Sequence, residues 1–452
     1  MKELRMFFVF FILSAATLGA SETLTLEDCL SLAKKENSKI LAKKSFEKAA
    51  SHKKTAALFN FFPKGRAEIN MLKHVFVPEP EDVSFDISSL GIPGMEGSVE
   101  LPVDIPERSR EMNISAVQPV TDLWSVYKAY DITKRSENIS EMQTQITENN
   151  VKKTVISSFY SYLMAKDLKD LLLEMKKQTE EYKKQAKHFV REGMSDKRAV
   201  LKMDIEISRV KKEMATVDEN MKLLKNAVAV AINRDESSFE LEEKTTVFRP
   251  VEKNISEMIS MQKKYRNEFK IMEESIVIMK NMEHLAFQPL IPSIALTGGF
   301  RKTWDPQPFA PEGIFFAGGV LQWEVGFDWV ANYSSYKKSV AETTGKNLEN
   351  IDAKKQMRLQ LLKMHRDIKV AAEEIKLAEA EIAAAEESLH MEKKKYQENM
   401  TTETELLSAH ISLKKAKTDF LRAKYTHEIK VKNLSLTTKI PEKILRKAET
   451  HE

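Results

Sequence analysis

The chain has 452 residues, enough for two or three globular domains, yet 31% of them are charged and only 8% aromatic, a lean supply for several compact cores. Its 71 basic and 67 acidic residues are interspersed and leave a net charge of +4, so no nucleic-acid partner is expected. The balance favours long helices with a solvated Lys/Glu face.

Residues 1–20, MKELRMFFVFFILSAATLGA, combine Lys2 and Arg5 with an apolar run from Met6 to Leu13 and small residues ending at Ala20. They read as an export signal cleaved after Ala20, with Ala16 as the alternative site and an uncleaved anchor as the alternative fate. Cys29 is the only cysteine, and it follows Leu26, Glu27 and Asp28, not the small-residue box of lipid attachment. It is expected to be a buried helix residue, and an intramolecular disulfide is excluded by arithmetic. No later apolar run approaches the about 20 residues of a membrane helix. A membrane crossing by this chain must therefore use strands.

Helix breakers mark the organisation. All 14 prolines avoid residues 120–249 and 312–440. Very long helical hairpins are expected over 120–249 and 331–440, each with a single glycine, Gly193 and Gly345. Pro and Gly gather instead in 63–119 and 289–326, where alternating segments predict strands. Alternation is weak at Ala67, Ile69 and Met71, moderate from Ile294 to Phe300, and strong in LQWEVGFDWV at 321–330; residues 111–117 supply a fourth candidate. In 321–330, Trp323, Val325, Phe327 and Trp329 share one face of an extended chain, with Glu324 and Asp328 on the other.

The chain also matches itself. VREGMSDKRAVLKMDIEI, starting at Val190, aligns without gaps on YQENMTTETELLSAHISL, starting at Tyr396, and the segment ending at Pro63 aligns on that ending at Pro292. The offset falls from 229 to 206, so the first half carries about twenty extra residues, most simply a longer loop over 77–106. Expected boundaries are a leading helix (21–63), a strand pair with that loop (64–119) and a hairpin reversing near 193 (120–249). The second repeat gives a leading helix (250–292), a strand pair (293–330), a hairpin reversing near 399 (331–440) and a tail (441–452). From Trp124 to Val190 a continuous helix would reach ~100 Å. Stripes such as Ile156, Phe159, Tyr160, Leu163 and Met164 must then be buried against other helices or protomers.

Several segments resemble the TolC family of outer-membrane efflux proteins. LTLEDCLSLAKKENSKI is similar to the family's opening helix, with Thr25 and Asp28 as a capping box. LIPSIALTGGF resembles its approach to a strand, VREGMS and YQENMT its repeated reversal, and VGFDWVANYSSY its exit into a long helix. The resemblance implies a mainly α protomer with a small β part. Four strands would join a trimeric twelve-stranded barrel, continued by a periplasmic α-helical barrel.

It implies an exit duct of a tripartite efflux or type I secretion system, assembled as a homotrimer in outer-membrane lipid. Such a duct serves a periplasmic adaptor and, indirectly, an inner-membrane transporter. Trp323, Phe327 and Trp329 would lie at the barrel's lipid interfaces. The reversals Glu192, Gly193, Met194 and Glu398, Asn399, Met400 would be adaptor-docking tips. Asn399 stands where the family usually has glycine. A periplasmic gate falls on Tyr396, Thr401, Glu405 and Ser408, of which Tyr396 keeps the family's tyrosine and Glu405 one of its carboxylates.

Nine histidines are scattered without metal-ligand spacing, and no nucleophile elbow or phosphate loop is present, so neither enzyme activity nor a cofactor or metal is expected. Glu373 and Glu374 read as solvated helix surface. The alternative function is a periplasmic coiled-coil adaptor or scaffold without a pore.

Overall fold

A computed structural model describes residues 22–75, 81–86, 98–103, 108–242, 255–306, 311–398 and 400–445. The expected export signal at 1–20 and Asn399 lie outside them. Two compact units form, one from 47–140 and 271–351, the other within 1–46, 141–270 and 352–452.

The first unit is built on a four-stranded antiparallel sheet, in the order β2 (Lys64–Lys73), β5 (Arg108–Pro119), β7 (Ser293–Thr303), β8 (Gly313–Gln322). The registers Ile69↔Met112, Ile114↔Phe300 and Phe300↔Phe315 put these residues on one face with Ala67, Ala317 and Leu321. The opposite face carries Arg66, Glu68, Asn70, Asn113, Ser115 and Thr297, although Ile314, Phe316 and Val320 of β8 share it. β5 and β7 join the two halves of the chain. Beside the sheet, Arg135 bridges Asp131 (2.8 Å) and Glu274 (2.6 Å), and Asn281 donates to Asp131 (2.7 Å).

The first half's extra residues contain a hairpin, β3 (Glu81–Asp86) with β4 (Ser98–Val103), paired from Glu81↔Val103 to Asp86↔Ser98. The segment expected as a longer loop thus holds a strand pair.

The strand expected at 321–330 is corrected. β8 ends at Gln322, Gly326 adopts φ +80°, and α7 (Phe327–Gln397) starts at the next residue. The ladder has nowhere to extend: Gln322 pairs with Ser293, and Ile291, the next residue whose N–H would face β8, already donates to Gln288 O (3.1 Å). Gly326 takes the left-handed backbone that turns strand into helix. The actual strand, GIFFAGGVLQ, was hidden by Gly318 and Gly319, which interrupt its alternation.

The second unit is helical. It opens with β1 (Glu22–Leu24), paired in parallel with β6 (Phe239–Leu241), a contact no periodicity announced. α1 (Leu26–Glu36) begins in the expected capping box: Asp28 N–H donates to the Thr25 hydroxyl (3.3 Å) and Thr25 N–H to the Asp28 carboxylate (3.0 Å). Cys29 is fully buried in a core with Leu24, Phe159, Tyr160, Ile232 and Phe239, and burial pushes its thiol up to about 12. A second core holds Tyr182, Met203, Leu389, Tyr396, Leu406 and Leu413; a third centres on Met258, Leu361, Ile368, Val431 and Leu434.

The long helices are α3 (Leu123–Arg191), α4 (Lys197–Ile232), α7 and α8 (Glu403–Thr438). Of the predicted stripe, Ile156, Phe159, Tyr160 and Leu163 are buried and Met164 packs against them. Duplication is carried by the element bounds. α4 and α8 start and stop 206 residues apart, and both end on a left-handed residue, Asn233 and Lys439, each with φ 56°. α1 and α5 (Ile255–Tyr265) are 229 apart at both ends, and α2 (Ser38–Phe59) and α6 (Asn267–Phe287) at their starts.

Candidate functional site

The two helix reversals are alike. After α3, Gly193 has φ +73°, its N–H donates to Val190 O (3.3 Å), and Met194 N–H donates to Phe189 O (2.8 Å). These paired bonds form a Schellman C-cap, which a glycine at the left-handed position makes without Cβ strain. Asp196 then caps α4 through Arg198 N–H (3.1 Å). In the second reversal Met400 N–H donates to Lys395 O (2.8 Å) over the same spacing, and Thr402, at the place of Asp196, caps α8. Met194 and Met400 are both exposed, and Glu192 sits 3.7 Å from His188 Nδ1. Glu398 N–H still bonds back to Lys394 O (3.1 Å), one residue past the end of α7.

Of the four expected gate residues, two are brought together. The Glu405 carboxylate accepts from the Thr401 hydroxyl and from Thr402 N–H (3.0 Å), while Glu405 N–H donates back to Thr402 Oγ1 (3.3 Å). Glu405 is thereby the third-residue partner of a capping box, a local reason for a carboxylate here. The Thr401 hydroxyl, then Thr402, hold its pKa below the ordinary glutamate range. Ser408 is exposed one turn on, and its carbonyl accepts from the Ser412 hydroxyl (2.9 Å). Tyr396 stands apart: it is 3% exposed, edge-to-face on Phe189 at 5.4 Å, and its hydroxyl has no hydrogen-bond partner among the described residues. Burial raises its pKa above the ordinary tyrosine range.

The expected interface aromatics lie at the junction between β8 and α7 instead of on a strand. Trp323 is in the connection, Phe327 opens α7, and Trp329 stacks on Tyr333 one turn later (5.7 Å, 3° between planes). All three are exposed. Glu324, expected on the polar face of that strand, instead accepts from the Asn332 side chain (2.8 Å). Sequence reasoning missed the counterpart in the first half, where Trp124 and Tyr127 are exposed in the first turns of α3. Its signal was present, since both long helices open with Trp and Tyr within two turns.

The sheet's apolar face is uncovered: Ile69, Ile114 and Leu296 are exposed, and Phe315 is 84% exposed. Among the described residues, β2 and β8 each keep one unpaired edge. Among the described residues no helix is long and apolar enough to cross a membrane. No group of His, Cys, Asp or Glu suited to a metal ion occurs among the described residues.

No protein-family model and no curated protein matches the chain. Solved structures do. The channel protein CusC superposes with a TM-score of 0.76 at 13% identity over 91% of each chain. The outer-membrane channel CmeC of Campylobacter jejuni gives 0.71 at 14% identity, over 94% of this chain and 87% of that one. The outer-membrane protein VceC of Vibrio cholerae gives 0.72 at 12% identity, over 91% and 95%. Identities this low speak to architecture alone, and at that level the agreement runs nearly end to end: the chain has the TolC-type fold of these outer-membrane proteins.

Proposed function

We propose that the chain is the outer-membrane exit duct of a tripartite efflux or secretion system, a passive homotrimeric channel. The observation that carries this reading is the sheet, whose apolar face is exposed and whose edge strands β2 and β8 both lack a partner on one side among the described residues. An open sheet with two ten-residue edges invites uncontrolled pairing in water, whereas closure with two further copies removes every edge. In lipid such closure is obligatory. Three sheets of four strands make twelve, within the size range of outer-membrane barrels. Apolar residues would face lipid, and the polar face the lumen. The exposed Trp and Tyr residues opening α3 and α7 suit a membrane–water boundary. The fold shared with outer-membrane channels supports the same reading. Cargo passes through, and an adaptor and inner-membrane pump supply selection and energy.

Fractionation tests it. Mature protein should be found in the outer membrane, require detergent for extraction, and migrate as a heat-modifiable trimer. Recovery as a soluble monomer without detergent would sink the duct and favour the scaffold.

The reversals are proposed as the adaptor-docking tips. A Cβ at Gly193 would meet nothing within 4 Å, so a large side chain there projects into open space and costs mainly the ~1–2 kcal/mol of left-handed backbone. Gly193→Trp should therefore leave trimers intact while lowering efflux of a dye at least tenfold, because the indole occupies the surface a partner helix must approach. Normal efflux by this variant would remove the docking role.

Glu405 is proposed to ring the periplasmic end of the duct, three carboxylates around one axis. Glutamine preserves the reciprocal capping-box bonds, so Glu405→Gln should leave stability within about 0.5 kcal/mol of wild type. In planar bilayers it should reduce cation selectivity and divalent-cation block. Unchanged permeability ratios would confine Glu405 to its capping role.

A further inference from the structure

The two halves solve the same junction differently, and the difference leaves one nitrogen of a buried guanidinium without an acceptor. Between α1 and α2 stands Asn37; at the 229-residue offset, between α5 and α6, stands Arg266. In the first half the junction is self-sufficient. The Asn37 amide donates to Ala231 O (2.8 Å) near the end of α4, and its oxygen accepts from Lys39 N–H (3.0 Å). In the second half Arg266 is 6% exposed. Its Nη2 donates to Gln360 (2.8 Å) and its Nε lies 3.1 Å from Glu268, but Nη1 is buried with no hydrogen-bond partner among the described residues. A buried guanidinium N–H left unsatisfied is costly, and native structures seldom keep one without a reason.

Arg266 lines a small pocket in the helical unit with Lys153 of α3, Asn267 at the start of α6 and Lys439 at the end of α8. Asn149 and Asn150 of α3 complete the polar wall. The lining holds three cations and a single carboxylate, Glu268. Lys439 is fixed by Gln145 Oε1 (3.0 Å) and Asn267 Oδ1 (2.9 Å), which leaves one of its three ammonium protons unassigned. Lys153 makes no ion pair among the described residues. Burial, then the Arg266 charge, holds the Lys153 ammonium below the ordinary lysine range; burial, then Lys270, does the same at Lys439. Arg266 thus opposes the Lys153 charge and Lys270 that of Lys439, while Glu268 acts in the other direction on both. The void has room for a water-sized particle and excludes a tetrahedral oxyanion.

We propose that this pocket is a chloride site, in which a halide held by Arg266, Lys153 and Lys439 ties α3 and the α5–α6 junction to the end of α8. The anion supplies the acceptor that Ala231 O supplies to Asn37 in the first half. The equivalent first-half position of Lys439 is Asn233, a neutral residue, so no counterpart site is built there.

The test uses the full-length protein in detergent. Thermal unfolding of its helical signal is compared in potassium chloride, bromide and gluconate at one ionic strength. Gluconate is the better general stabiliser of proteins, so the expected result, a saturable rise of a few degrees in chloride and bromide over gluconate, opposes the nonspecific trend. Arg266→Asn, which installs the first half's residue, and Lys153→Met should each abolish that rise; if Arg266→Asn does not fold, Lys153→Met carries the test alone. Crystals grown in bromide should show an anomalous peak between Arg266 Nη1 and Lys153 Nζ. Equal midpoints in all three salts for the wild type, or a rise that survives in Lys153→Met, would overturn the proposal.

Discussion

Gly299→Ala should all but eliminate outer-membrane protein, while Gly318→Ala, the same chemical change on the neighbouring strand, should leave its amount unchanged. A Cβ at Gly299 of β7 would lie 2.3 Å from Ile114 O, 2.9 Å from the Phe316 ring and 3.0 Å from Ser115 Cα. The first and third of these are backbone atoms of β5, so no side-chain rotation relieves the clash. β5 must move away from β7, and the ladder from Glu111↔Thr303 to Pro119↔Ala295 is the join between the two halves of the chain. Overpacking of a yielding core costs ~1–3 kcal/mol, and an obstruction set by strand backbone belongs at or above the top of that range. At Gly318 a Cβ meets nothing within 4 Å, and alanine gains a little by restricting the unfolded chain. The measurement is the amount of each variant in the urea-washed outer-membrane fraction. Equal recovery would mean that β5 and β7 do not approach as closely as this register requires.

Gly299 also shows where the sequence was silent. Position 299 could be read as part of an alternating strand, but the reason for a glycine there is a partner backbone 185 residues earlier in the chain, at Ile114. Helices were legible because their signals are local: proline-free windows, the Thr25 capping box and the Gly193 reversal each act within a turn of where they are written. Duplication was legible because two offsets, 229 and 206, kept the same order, and the bounds of α1, α4, α5 and α8 respect them.

β8 was misplaced for a complementary reason. Alternation in LQWEVGFDWV reflects aromatic residues at a strand-to-helix junction, where Trp329 reaches Tyr333 by helical spacing and Trp323 sits in the connection. The limit on β8 is set across the ladder, where the Ile291 N–H is taken by Gln288 O. Strand ends are decided by partners, and a single sequence does not say which partner is near. The three-residue pairing of β1 with β6 lacks enough residues to show any period. The gate residues were legible only as positions. That Tyr396 faces the protomer's own core while Glu405 closes a capping box depends on side-chain packing that family matching does not carry.

The largest effect expected in the helical unit is at Lys414, whose ammonium reaches Glu206 at 3.1 Å and Glu213 at 3.4 Å. The Glu206 side chain is 3% exposed, and its only other cation among the described residues, Arg209, is 3.7 Å away. Lys414→Met leaves that carboxylate buried and poorly paired, which should cost about 3–5 kcal/mol. Glu206→Leu should cost less, because Lys414 keeps Glu213 and its long side chain reaches toward water. The double variant, with both charges replaced by apolar groups, should return to within about 1–2 kcal/mol of wild type. His410 adds a pH dependence. It is buried beside this pair, with its Nε2 3.2 Å from the Thr179 hydroxyl and its ring edge-to-face on Tyr182 at 5.5 Å. Burial lowers its pKa and Lys414 lowers it further, whereas the Met175 carbonyl, Glu206 and Glu174 act in the opposite direction. In the wild type His410 is therefore neutral when folded, and the unfolded chain takes up its proton first as pH falls through about 6.5. Stability is full above that value and declines below it. Removing Lys414 takes away one cation that opposes protonation and leaves Glu206 to favour it, so in Lys414→Met the folded state binds the proton more readily. The variant's deficit, read from urea unfolding of the helical signal, should accordingly shrink between pH 8 and pH 5. A deficit that is constant across that range would separate His410 from the Glu206–Lys414 pair, and a double variant as unstable as Lys414→Met would show that the buried carboxylate is not what makes the single substitution costly.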